Sequence, residues 1–200
     1  VKALFGAIRH SSGTIKMDGK ELHIKTPYDA IRAGIGLLPE NRKEEGLILS
    51  ESVAWNTVFA AILKYRRGLF IDSSREEKDV FEYRDRLGIK TPTIKREVKY
   101  LSGGNQQKVV FAKWLCAESD VYIFDEPTRG IDVGAKSEIY GIINMLVAQG
   151  KAVIVISSEL PEILGICDRI VVFHEGRVAA TVDREGATQE SIMYHMIGGK

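Results

Sequence analysis

Val121-Tyr122-Ile123-Phe124-Asp125-Glu126-Pro127 is the stretch that decides the architecture. Four consecutive apolar residues have the texture of a strand buried on both faces, as in a parallel sheet covered by helices. Two carboxylates follow at its carboxyl end, the edge where open α/β sheets gather their ligands. Asp125 is placed there to hold Mg²⁺, directly or through water. Glu126 is placed to orient or deprotonate an attacking water. The competing reading is that the two acids only cap a turn before Pro127.

Working outward, strands and helices alternate on both sides. Downstream, the pattern predicts a helix over 135–148, a strand over 152–156, a helix over 160–164, strands over 169–174 and 177–182, and a last helix over 189–197. Upstream, an apolar strand over 35–38 ends at Pro39. Before it, Thr26-Pro27 opens a helix that runs to Ala33 and stops at Gly34, a cap followed by proline at the first helical position. Residues 13–17 alternate towards Asp18-Gly19 as a hairpin strand, and residues 1–7 are helix-compatible without a cap. Between these parts the texture turns helical, with apolar spacing over 53–63 and 74–87, a Ser73-x-x-Glu76 capping pattern and Gly88 as a stop. The resulting expectation is an α/β core over 1–40 and 120–200 with a helical lobe over 41–119. Trp55 and Trp114 lie at apolar helical positions, which predicts core packing for both.

A second motif sits inside the helical stretch: Leu101-Ser102-Gly103-Gly104-Asn105-Gln106-Gln107-Lys108. Two glycines at a loop-to-helix junction leave backbone N–H groups free at the positive end of a helix dipole, an arrangement that binds anions. Ser102 adds a hydroxyl, although a serine here also reads as an N-cap beside an ordinary turn.

The composition is that of a folded globular chain: 200 residues, 44% hydrophobic and 28% charged. Lys and Arg number 28 against 27 Asp and Glu, a net charge of +1 with no long single-sign run. That speaks against a nucleic-acid coat, whose affinity comes from clustered cations. Cys116 and Cys167 form no CxxC, so neither a zinc site nor a disulfide framework is implied. No apolar run reaches the roughly 18 residues of a membrane span. The chain opens on Val1 rather than Met, as a piece of a longer protein would.

Taken together, the two motifs resemble the nucleotide-binding domain of ABC transporters. Residues 101–107 are similar to the family signature, Phe124-Asp125-Glu126-Pro127-Thr128 to Walker B, and Gly130-Ile131-Asp132 to the D-loop. The run from Asp125 to Lys136, together with residues 38–43 and 157–162, is similar to the second half of two-domain sugar-import ATPases of the ribose, xylose and galactose type. The resemblance spans essentially all 200 residues. It implies a P-loop NTPase-like fold, α/β with a helical subdomain, and lacking its N-terminal part. It also implies ATP and Mg²⁺ as ligands, with Asp125 on the metal and Glu126 as the catalytic carboxylate. Ser102, Gly103, Gly104, Gln106, Asp132, Glu40 and Ser158 become the nucleotide-binding set. The implied partners are a second nucleotide-binding half, a membrane-spanning permease and, indirectly, a sugar-binding protein, at the cytoplasmic side of the membrane and without nucleic acid.

Three departures qualify this picture. Glu40 stands where the family has the Q-loop glutamine, and Ser158 where it has a histidine. No G-x-x-x-x-G-K-[ST] occurs: Gly19-Lys20, Gly150-Lys151 and Gly199-Lys200 all lack the first glycine and the hydroxyl residue. Two alternatives therefore accompany the transport reading. One is an ABC-type ATPase acting on nucleic acid or ribosomes; the other is a catalytically silent regulatory half.

Overall fold

Thr26 opens the first helix by the chemistry its sequence announces. Its hydroxyl accepts from the Asp29 N–H while the Asp29 carboxylate accepts from the Thr26 N–H at 2.9 Å, a reciprocal cap that satisfies two donors at the helix start. The computed structural model describes residues 1–199 and divides them into two compact units, residues 1–154 and residues from Val155 on.

In the first unit, β1 (Ile15–Met17) and β2 (Lys20–Leu22) form an antiparallel hairpin. Asp18 and Gly19 both take positive φ at its turn, as a tight two-residue hairpin loop requires. Helix α1 (Pro27–Arg32) leads through Gly34, at φ +78°, into β3 (Ile35–Leu38), all four residues of which are buried. A mostly helical stretch follows: α2 (Val53–Val58), a tighter 3-10 stretch over residues 59–65, a small hairpin of β4 (Arg66–Arg67) and β5 (Phe70–Ile71), α3 (Ser73–Arg86) and α4 (Gly103–Cys116). The chain then returns to the sheet with β6 (Val121–Asp125), α5 (Val133–Ala148) and β7 (Ala152–Ile156), whose last two residues are counted with the second unit. The sheet order is β3-β6-β7, with β3 and β6 parallel and Leu38 opposite Phe124. Phe111 of α4 packs on Phe124 with ring centroids 4.8 Å apart, and Phe124, Leu38, Ile139 and Leu146 are fully buried. In the helical stretch, Val58, Ala61, Tyr65, Val80, Ile94 and Cys116 make a separate apolar cluster.

In the second unit, α6 (Leu160–Ile166) precedes an antiparallel pair, β8 (Arg169–His174) and β9 (Arg177–Asp183), and α7 (Gln189–Met196) closes it. Ile163, Ile170, Val172 and Ile192 form its core.

Four local expectations are corrected. Residues 1–7 form successive turns rather than a helix, because Gly6 sits at φ +72° where a Cβ would lie 2.7 Å from the Thr26 backbone. The apolar stretch 53–63 is α-helical only to Val58. Helix α3 is capped one residue early, by Asp72, whose carboxylate accepts from the Arg75 N–H at 3.1 Å. Trp55 is not core. The residues buried on α2 are Val53, Asn56, Thr57 and Val58, which leaves Trp55 outside, 37% exposed and stacked on Phe59. Trp114 is buried as expected.

One buried charge ties α4 to the turn that follows β3. Lys113 of α4 is 8% exposed and donates to the Gly46 carbonyl at 2.7 Å. Burial pushes its ammonium down to about 8 from the ordinary 10.5. Between those two values the unfolded chain holds a proton that the folded chain has released, so this group's contribution to stability rises with pH across that window. The total rise is about 3 kcal/mol. Chemical denaturation at pH 7 and at pH 10 should show the stability difference between Lys113→Met and the parent shifting towards the parent at the higher pH. A difference independent of pH would show that Lys113 is solvated.

Candidate functional site

The site begins at the carboxyl edge of the sheet. Because β3 and β6 run parallel with Leu38 opposite Phe124, the residues that follow, Pro39-Glu40 and Asp125-Glu126, emerge side by side. Asp125 is half-buried, and burial, with Glu126 adding to it, holds its carboxyl above the usual carboxylate range. Glu126 lies at φ +49°, a left-handed conformation that costs a non-glycine residue on the order of 1 kcal/mol or more and persists where the surroundings enforce it. The next residue is locked: the Gln107 amide of α4 donates to the Pro127 carbonyl at 2.7 Å. Glu40 does not stand free at this edge, since its carboxylate is paired with the Arg129 guanidinium.

The second part is the start of α4. Ser102 is its N-cap, accepting from the Asn105 N–H at 3.4 Å and from the Asn105 side-chain amide at 2.9 Å. The N-cap reading of the serine holds, and its side chain is exposed beside the two glycines. Gly103 and Gly104 occupy the first two helical positions, where N–H groups have no intrahelical acceptor. A side chain at either position would meet close neighbours. A Cβ on Gly103 would lie 2.7 Å from Arg42 Nη2 and 3.2 Å from the Gly130 carbonyl, and one on Gly104 would lie 3.0 Å from Ala135 Cβ. The stretch 130–132 is thus the immediate neighbour of the signature, and Asp132 closes it by capping α5 through the Ala135 N–H at 2.9 Å.

One predicted site residue of this unit faces elsewhere. Gln106 is 4% exposed and its amide donates to the Val98 carbonyl, so its side chain faces the interior of the helical stretch and not the glycine turn. The helical repeat that sets Gly103 and Asn105 outward turns Gln106 in. Ser158 lies in the second unit, exposed on the turn between β7 and α6. The residue that sequence reasoning passed over is Arg42, which donates from Nη1 to the Arg129 carbonyl at 3.0 Å and from Nη2 to the Gly130 carbonyl at 3.4 Å. A cavity of about 510 Å³ opens beside it, lined by Glu40, Arg42, Arg129 and Gly130 among others.

The donor set suits Mg²⁺ carried by a phosphate. Among the described residues no cluster of three or more His, Cys, Asp or Glu side chains is placed to enclose a metal. Mg²⁺ typically takes one or two carboxylates and completes its octahedron with waters and substrate phosphates, and a single strand-end aspartate meets that need. Among the described residues, no helix is long and apolar enough to cross a membrane.

The comparison with known families settles what this arrangement belongs to. The ABC transporter model matches residues 1–129. The chain belongs to the ABC transporter family. It is 49% identical, over 98% of its length, to a ribose import ATP-binding protein of Burkholderia ambifaria. It is 47% identical, over 100% of its length, to a ribose import ATP-binding protein of Chromobacterium violaceum. It spans 39% and 40% of the length of those two relatives. A solved nucleotide-free ATP-binding cassette from an ABC transporter superposes with a TM-score of 0.78 at 19% identity, covering 98% of this chain and 81% of that one. That likeness fixes the fold as that of an ATP-binding cassette, α/β with a parallel sheet.

Proposed function

We propose that this chain is one nucleotide-binding half of an ATPase that drives import of a simple sugar. Its main contribution is the signature turn, which it presents to ATP held by a second half. The observation that carries the reading is the contrast between its two sites. The start of α4 is complete, with Ser102 exposed and the Gly103 and Gly104 amides packed against the stretch at Gly130. On the Walker side, a glutamate already engaged by Arg129 replaces the Q-loop glutamine, and Ser158 replaces the histidine. The chain's own site is therefore weak or silent, and the site it completes on its partner is the working one.

In this reading the core comprises residues 1–40 and 120–200 and the lobe residues 41–119. Asp125 would hold Mg²⁺, which when bound neutralises developing charge on the phosphates. Glu126 would orient water at the chain's own site. Gly103 and Gly104 donate backbone N–H groups, and Ser102 its hydroxyl, to the γ-phosphate bound by the other half. Hydrolysis proceeds without a covalent intermediate, through positioning and electrostatic stabilisation of the transferring phosphoryl group. The partners are the second half, a membrane permease and, through it, a sugar-binding protein, with the ATPase peripheral at the cytoplasmic face. The names of the relatives support ribose as the first sugar to test. ATP turnover by the complete protein, reconstituted with its permease and binding protein, should rise severalfold on adding ribose or a related simple sugar. Turnover stimulated by RNA and indifferent to sugars would replace this reading with the nucleic-acid one.

A further inference from the structure

Arg42 has no assigned part in the nucleotide site, yet three functional segments meet on its guanidinium. It stands just beyond β3: Pro39 ends the strand, and a single π-helical turn, Arg42–Gly46, follows. Its two Nη atoms donate to consecutive carbonyls of the stretch after Walker B, Arg129 and Gly130. The same Nη2 lies where a side chain on Gly103 would have to go. Among the described residues its buried Nε finds no hydrogen-bond partner, and the hydrogen bonds that hold the head group are those of its two Nη atoms. The turn is also fixed at its far end, where Lys113 of α4 donates to the Gly46 carbonyl. Around Arg42, the Glu40 carboxylate pairs with the side chain of Arg129, so residues 40–42 and 129–130 are tied twice. A planar guanidinium can serve two adjacent carbonyls and lie flat against a glycine, which the point charge of lysine cannot do.

We propose that Arg42 is a positioning residue that sets the spacing between the Gly103 turn and the Gly130 stretch. It thereby sets the geometry of the anion site this half offers its partner, and it links that site to Glu40. This inference rests on the function proposed above.

The test is ATP turnover by the complete protein carrying Arg42→Lys, Arg42→Ala, Gly103→Ala or the pair Arg42→Ala with Gly103→Ala, with Ser102→Arg in the same assay and thermal midpoints recorded for all. Misplacement by about 1 Å can cost up to ~10²-fold in rate, so Arg42→Lys should lower kcat by about tenfold or more. KM for ATP and the thermal midpoint should stay near the parent values, since lysine keeps the charge and most of the stem. Gly103→Ala should be damaging with Arg42 present, and the pair no worse than its poorer member, because removing the guanidinium gives the new methyl room. The inference is overturned if Arg42→Lys keeps kcat within about twofold, if the loss appears in KM or follows the thermal midpoint, or if the paired losses multiply. A Ser102→Arg protein with unchanged turnover would overturn the proposed function itself. With Ser102→Arg inactive and Arg42→Lys fully active, only the role of Arg42 fails.

Discussion

Replacing Ser102 by arginine in the complete protein is expected to bring ATP turnover close to background. Removing one well-placed transition-state donor typically costs on the order of 10²–10³ in rate. The arginine does more than remove a donor: it puts a long cation into the turn where the γ-phosphate must approach two backbone amides. The fold should survive. Ser102 is exposed, and the cap it gives Asn105 is worth about 1 kcal/mol, a small part of a domain's stability. Ser102→Ala, which removes the hydroxyl and leaves the amides accessible, should retain more activity than Ser102→Arg. Turnover measured beside the thermal midpoint separates lost chemistry from lost structure.

The second large effect concerns the 200-residue chain by itself. It should bind ATP-Mg²⁺ only in the millimolar range, about −4 kcal/mol, and should not hydrolyse it. A phosphate loop holds the β- and γ-phosphates with a cradle of amides and a lysine, and no segment of this sequence has that pattern. What the chain offers instead is the start of α4, two amides and a hydroxyl, together with a lone strand-end aspartate. Calorimetry on the purified chain checks this directly. Micromolar affinity would show that the chain holds nucleotide without its partner.

Much of this site was legible in the residues because local chemistry announces it. The unbroken apolar runs of β3 and β6 are bracketed by Gly34 and Pro39, and by Asp120 and Pro127, so their ends and the carboxylates beyond them could be placed without a fold. The cap at Thr26, the glycine turn after Ser102 and the D-loop cap at Asp132 are likewise short-range signals. The misses are long-range or depend on which face of an element turns inward. Arg42 finds its partners 87 and 88 residues away, on carbonyls of positions 129 and 130, and backbone acceptors leave no trace in a sequence. Gln106 and Gln107 are adjacent, alike and both buried; only the packing of α4 shows that Gln107 reaches Pro127 while Gln106 turns into the lobe. Trp55 reads as core until α2 proves to be six residues long with its inner face already filled. The left-handed backbone at Glu126 is equally silent in the sequence, since nothing about a glutamate before a proline demands positive φ.

The central claim is the asymmetry: a complete signature serving the partner's site, and an impaired Walker side of its own. Glu126→Gln and Ser102→Arg, compared in the complete protein under saturating ATP, test it most directly. Ser102→Arg should fall by about 10²-fold or more, while Glu126→Gln, which touches only the weak site, should stay within about tenfold of the parent. Equal, near-complete loss in both variants would show that both sites hydrolyse ATP and that the assignment of a silent half is wrong.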